Sequence, residues 1–269
     1  MSTEKKNELT TIDSFSLVTG FEGMDDDLRE ELQDAMEDLD EERGIACRQI
    51  KVPSGGGKAF EVETDEPDNP DIMKEIEAVI LFTHRMNSYW EGEFGTGENK
   101  APTCSSFDAK TGLNIETGAV TNCDTCPLNQ YGSDGGGKAC KNIRRVYMML
   151  SGQPSIYLLS IPPTSIKDVN KQLARIMGSN KVPYTRMVVR FTLEKAKNKD
   201  GIEYSKVVVN RAGMLPQTLF EKTAALRKEL KAKYTEVAIT SADYNITART
   251  DDAGFMDVPE GAEGDLPFN

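Results

Sequence analysis

IRRVYMMLSGQPSIYLLSIPPTSIKDVNKQLARIMG, residues 143–178, carries the order of elements on which the fold turns. Ile143 to Leu150 and Ile156 to Ile161 are apolar, β-prone runs on either side of Ser151-Gly152-Gln153-Pro154, and they read as a hairpin. Pro162-Pro163-Thr164 ends the second strand. Thr164 or Ser165 is then placed to cap a helix whose stripe is Ile166, Val169, Leu173, Ile176 and Met177, closing near Gly178. Towards the C-terminus, Tyr184 to Ala196 and Ile202 to Gly213 form a second hairpin joined by Asn198 to Gly201, and Pro216 to Tyr234 forms a last helix. Towards the N-terminus, Ile76 to Met86 reads as a central strand, with Ile45 to Val52 and Lys58 to Val62 as shorter ones flanking the loop at Pro53–Gly57. Strands, one helix, then two more strands predict a mainly β, α+β protein with flanking helices, built on an OB-like barrel in which the helix lies between the third and fourth strands.

The appendages differ in composition from this body. Residues 1–43 comprise an arm and, over Asp25 to Glu42, an acidic amphipathic helix with the stripe Leu28, Leu32, Ala35, Met36 and Leu39, stopped by Gly44. Residues 44–242 form the barrel domain, interrupted at about residues 95–142 by a glycine-rich, cysteine-bearing insertion. Residues 243–269 are an acidic tail whose composition gives it no means of folding alone. Net charge is −12, yet its distribution is uneven. Met24 to Arg43 and Asp251 to Asn269 together hold −15, so the remainder is +3, and Lys138 to Lys199 carries thirteen lysines and arginines against Asp168 and Glu194. A basic body with acidic appendages fits a polyanionic partner better than the sum suggests. The chain contains no apolar run of about 18 residues and opens without a secretory signal pattern, so no membrane association and a cytoplasmic location are expected.

Four of the five cysteines, Cys104, Cys123, Cys126 and Cys140, fall within the insertion. A Cys-x-x-Cys pair lets two thiolates reach one ion from a tight turn, and two further cysteines close a tetrahedral four-sulfur site, which predicts a structural Zn²⁺. Such an ion supplies the folding free energy that a core-poor segment lacks. Cys47 lies in an apolar strand and reads as core, and His84, also on a strand, reads as a core or surface histidine rather than a ligand. The catalytic alternatives fail on composition. A zinc deaminase needs a His-x-Glu or Cys-x-Glu pair, absent here, and Gly132–Ala139 resembles a phosphate loop only until Ala139 replaces the hydroxyl that would hold Mg²⁺. No enzymatic activity is expected.

Binding unpaired nucleic acid needs aromatic faces among cations. Tyr89, Trp90, Phe94, Phe107, Tyr131 and Tyr147 lie in or beside the insertion, among Lys138, Lys141, Arg144 and Arg145, with Arg186 and Arg190 on the second hairpin. The chain ends Asp265-Leu266-Pro267-Phe268-Asn269, and this acidic, glycine-rich end resembles the tip of bacterial single-stranded-DNA-binding proteins, although there the phenylalanine is itself terminal. Cys104-Ser-Ser-Phe-Asp, Cys123-Asp-Thr-Cys126-Pro-Leu-Asn-Gln-Tyr-Gly-Ser and Gly137-Lys-Ala-Cys140-Lys-Asn-Ile-Arg-Arg-Val-Tyr147 resemble phage and mobile-element proteins of the same role. In plan they are similar to the zinc-carrying helix-destabilising proteins of large tailed phages, which use a histidine among their ligands. The resemblance implies a protein that coats single-stranded DNA during replication, recombination or repair without strong sequence preference, and docks replication or recombination proteins through Asp265, Leu266, Pro267 and Phe268. A zinc-stabilised protein-binding adaptor and a strand-annealing recombination protein are the alternatives.

Overall fold

The computed structural model describes residues 10–18, 25–38, 47–66, 68–91, 101–198, 201–237 and 239. The acidic tail, Phe94 and the end of the N-terminal helix lie outside them. The protein is mainly β, with helices on both sides of an open sheet. Eleven strands are described: β1 Cys47–Lys51, β2 Phe60–Val62, β3 Asp71–Met73, β4 Glu75–Tyr89, β5 Cys104–Ser106, β6 Thr111–Asn114, β7 Val120–Asn122, β8 Lys141–Leu150, β9 Ile156–Ile161, β10 Met187–Lys197 and β11 Glu203–Met214. The helices are α1 Asp26–Asp38, α2 Pro163–Asn180 and α3 Phe220–Lys233.

β4 organises the sheet. Its fifteen residues pair with β8 along one edge, from Ala78 to Ser88. The other edge is shared: β10 takes Glu75–Val79 and β5 takes Asn87–Tyr89. Between those two partners the edge is closed from the side by α3, where Arg227 Nη1 donates to the Leu81 carbonyl at 2.8 Å, so that this buried acceptor is not orphaned. β8 continues to β9, β9 to β1 in parallel, and β1 to β2 and β3. Among the described residues β11 pairs as a strand only with β10, and a Ser54–Tyr204 bridge links it to the turn after β1.

Strands buried on both faces lose the simple alternation of a half-exposed strand. On one face Ile76, Ala78, Ile80, Val146, Met148, Leu159 and Phe191 meet Ile166, Val169 and Leu173 of α2. On the other, Val79, Leu81, Phe82, Tyr147, Met149 and Val188 meet Leu230 of α3 and Phe15 and Leu17 of the N-terminal segment. A bulge between Ile80 and Phe82 changes which residues face which side: Ile80 faces α2, while Leu81 and Phe82 both join the α3 side. Beyond it the odd-numbered residues of β4 share the α2 face with Arg144 and Asn142.

Several expectations need correcting. Within the cysteine insertion, β5, β6 and β7 extend the sheet as a chain of short hairpins. Tyr184–Arg186 is a 3₁₀ turn rather than the start of β10, and Asp71–Met73 adds a short strand between β2 and β4. Helix α2 begins with Pro162 as N-cap and Pro163 inside its first turn, where a missing N–H costs nothing. Ser165, expected near the cap, is fully buried and its hydroxyl accepts from the Val207 N–H at 3.0 Å, tying α2 to β11.

Candidate metal centre and nucleic-acid interface

The cysteine module is held by its own polar side chains in place of a core. Asp108 accepts the N–H groups of Lys110 and Thr111, both at 2.8 Å, and these bonds hold its carboxyl below the usual range. Asn122 Oδ1 accepts the Asp124 N–H at 2.8 Å and turns the chain between Cys123 and Cys126. Pro127 opens a short 3₁₀ turn, after which the Leu128 carbonyl accepts the Cys140 N–H at 2.8 Å and returns the fourth cysteine to the group.

Cys104, Cys123, Cys126 and Cys140, all free thiols, line one small cavity of about 30 Å³ together with Tyr89 and Gly112. A Cβ at Gly112 would stand 3.1 Å from Cys104 Sγ and 3.5 Å from Cys123 Sγ, so glycine is what lets the two sulfurs share this space. Burial, then the neighbouring Cys123, Cys104 and Cys126, push the Cys140 thiol up to about 12; burial, then Cys123 and Cys126, also raise Cys104. Among the described residues no three His, Cys, Asp or Glu side chains stand in the arrangement of a finished metal site.

A larger polar pocket, of about 520 Å³, lies where the module, the far ends of β4 and β8 and the first turns of α2 meet. Arg85 and Asn87 of β4 stand opposite Arg144 and Asn142 of β8. Arg85, Asn87 and Asn142 line the pocket with Lys138, Asn129 and Asp124 of the module and Lys167 and Asn170 of α2. Among the described residues no carboxylate forms an ion pair with Arg85, Arg144, Lys138 or Lys167. Like charges directly across an antiparallel pair destabilise it, by roughly 0.2–1 kcal/mol, and burial together with Arg85 lowers the Arg144 guanidinium from its ordinary value. The Nε of Arg144 is buried without a partner. Ala109, also on the pocket wall, holds a left-handed φ of 58°.

The sequence candidates divide sharply against this geometry. Lys138 and Arg144 fall at or behind the pocket, Tyr89 borders the cysteine cavity, Trp90 follows half-buried at the end of β4, and Tyr131 is 81% exposed on the module. Arg145 and Tyr147 do not belong to a surface: both are fully buried, and Arg145 Nη1 donates to the Val237 carbonyl at 3.1 Å, because odd positions of β8 face α3. Phe107 stacks into an aromatic cluster with His84 and Tyr234 that clamps the module to the sheet. His84 Nδ1 lies 2.9 Å from the Phe107 carbonyl, and burial lowers its pKa to about 4, so it stays neutral there. Lys141 pairs with Asp134 at 3.0 Å, Arg190 with Glu77 at 2.6 Å, and Arg186 lies over the Phe220 ring. Arg190 sits at the opposite end of β4 from the pocket. Arg85, Lys167 and the four asparagines were missed. Arg85 and Asn87 alternate with His84 and Met86, which marks one face, but only the cross-strand register brings them to Arg144 and Asn142.

The chain matches no protein-family model, no curated protein and no solved structure. Among the described residues no helix is long and apolar enough to cross a membrane.

Proposed function

We infer that this protein binds single-stranded DNA in the groove between the cysteine module and α2, with a structural Zn²⁺ drawing the four thiolates together. The observation that carries the reading is the pocket at which Arg85, Lys138 and Lys167, backed by Arg144, converge without an ion pair among the described residues: an excess of positive charge is stabilised by a bound polyanion. The cysteine chemistry supports the metal, since a dication held by four cysteine sulfurs stabilises the thiolate form that burial alone disfavours. The same reading takes β4, β8, β9, β10 and β11 as an OB-like unit, with α2 between its third and fourth strands. The module then occupies the connection between the first and second strands, one of the loops with which OB folds bind oligonucleotides.

Trp90, the sole tryptophan, follows Tyr89 of the cysteine cavity and is proposed to report on DNA binding. Its fluorescence should be quenched on adding oligo(dT) and far less by a duplex of equal length; equal quenching by both, or by neither, overturns the reading. The acidic end of the chain is proposed to compete with DNA for the groove and to dock replication or recombination proteins through Phe268 beside Asp265, so that the protein serves replication, recombination or repair. Deleting residues 251–269 should tighten oligo(dT) binding, most at low salt, where screening is weakest. An unchanged low-salt affinity leaves the segment a solubilising one.

A further inference from the structure

The pocket holds more than cations. Its asparagines form a network whose direction is fixed by its ends. Lys138 Nζ donates to Asn129 Oδ1 at 3.2 Å, and Asn129 Nδ2 donates to the Cys123 carbonyl at 2.7 Å, which sets the orientation of that carboxamide. Asn142 Nδ2 must then donate to Asn129 Oδ1 at 3.0 Å, and its other hydrogen goes to Asn87 Oδ1 at 2.8 Å. Both donors of Asn142 are spent, and no donor among the described residues reaches its Oδ1. The same pocket is lined by one carboxylate, Asp124, which is exposed and forms an ion pair with none of the pocket's cations. A wall of lysine and arginine thus encloses two acceptors, Asn142 Oδ1 and the Asp124 carboxylate.

We propose that this pocket receives one unstacked base of the bound strand and prefers cytosine to thymine. The two pyrimidines have nearly the same size and stacking face, and they differ in the group at C4: an amino donor in cytosine, a carbonyl acceptor in thymine. Carboxylate and carboxamide oxygens accept from the cytosine amine, whereas a thymine carbonyl set against those same two oxygens leaves all three unpaired. Arg85 and Lys167 take the flanking phosphates. The acid is thereby explained: in a pocket serving backbone charge alone, Asp124 would only repel the ligand. This inference rests on the single-strand-binding reading and adds a base preference to affinity supplied mainly by the backbone.

The test is fluorescence anisotropy of the full chain with labelled oligo(dC) and oligo(dT) of equal length at slightly alkaline pH. The wild type should bind oligo(dC) about tenfold more tightly, the equivalent of one good base-edge contact. Asp124→Asn, on the exposed surface of the module, should bind oligo(dT) at least as tightly as wild type, because a negative charge is gone, while the preference falls towards unity. Asn142→Ser should lower the preference in the same way. Equal binding of both oligomers by the wild type overturns the base pocket and leaves the DNA-binding reading standing. A preference that survives both substitutions also overturns it, and failure to bind either oligomer removes both.

Discussion

Replacing Cys126 by serine should strip the protein of one tightly held Zn²⁺ and unfold the module over residues 101–140 while the remainder stays folded. The module has little else to hold it. Of its side chains, Leu113, Ile115, Val120 and Tyr131 are exposed, and its few buried residues are Pro102, Ser106, Gly112, Cys123 and Cys140. Structural zinc contributes on the order of 10 kcal/mol in small cysteine sites, more than turns and short two-residue ladders can replace. The body has independent means, because both faces of β4 and β8 are packed by helices. Hydrogen exchange should therefore show protection lost from β5 to β7 and retained in β8 to β11, with metal analysis falling from about one Zn²⁺ per chain to none. A wild-type protein purified without chelator that carries no metal, or a serine variant with unaltered protection, would remove the metal from the account.

The second large effect is expected at the pocket. Arg85→Ala and Lys167→Ala should each weaken oligo(dT) binding and lower the slope of log affinity against log salt by about one, the double variant by about two. A structural role predicts a different outcome. Removing Arg85 relieves a like-charge pair with Arg144, so thermal stability should hold or rise slightly even as affinity falls. Lys167 is exposed on α2, and its loss should leave stability unchanged. Affinity and slope that match the wild type in the double variant would place the DNA elsewhere. Arg145→Ala gives the contrast: this arginine, bonded to the Val237 carbonyl inside the α3 side of the core, belongs to folding.

Much of this was legible locally. Apolar runs between turn residues marked β8, β9, β10 and β11, and the stripe from Ile166 to Ile176 marked α2, because each element's burial repeats with its own backbone period. Cysteine spacing gathered Cys104, Cys123, Cys126 and Cys140, since a shared ion demands residues of one type close in space whatever the fold around them. The hairpins β5 to β7 escaped because they are stabilised by asparagine and aspartate turns with scarcely an apolar residue to show a period.

The pocket itself depended on long-range pairing. Arg144 and Arg145 are indistinguishable in the sequence; one lies behind the pocket and the other is sealed inside the protein, because adjacent residues of a strand point to opposite faces. The bulge after Ile80 then selects the face: it changes the parity of β4, so that Arg85 and Asn87 join Arg144 and Asn142 on the α2 side instead of His84 and Met86. Lys167 arrives there from α2 and Lys138 from the module, brought together by packing between segments far apart in the chain. Composition and spacing specify which residues can bind a metal or a phosphate, since that chemistry resides in the side chain. Which of them converge is set by strand register, a one-residue bulge and helix packing, which no short stretch of the chain contains.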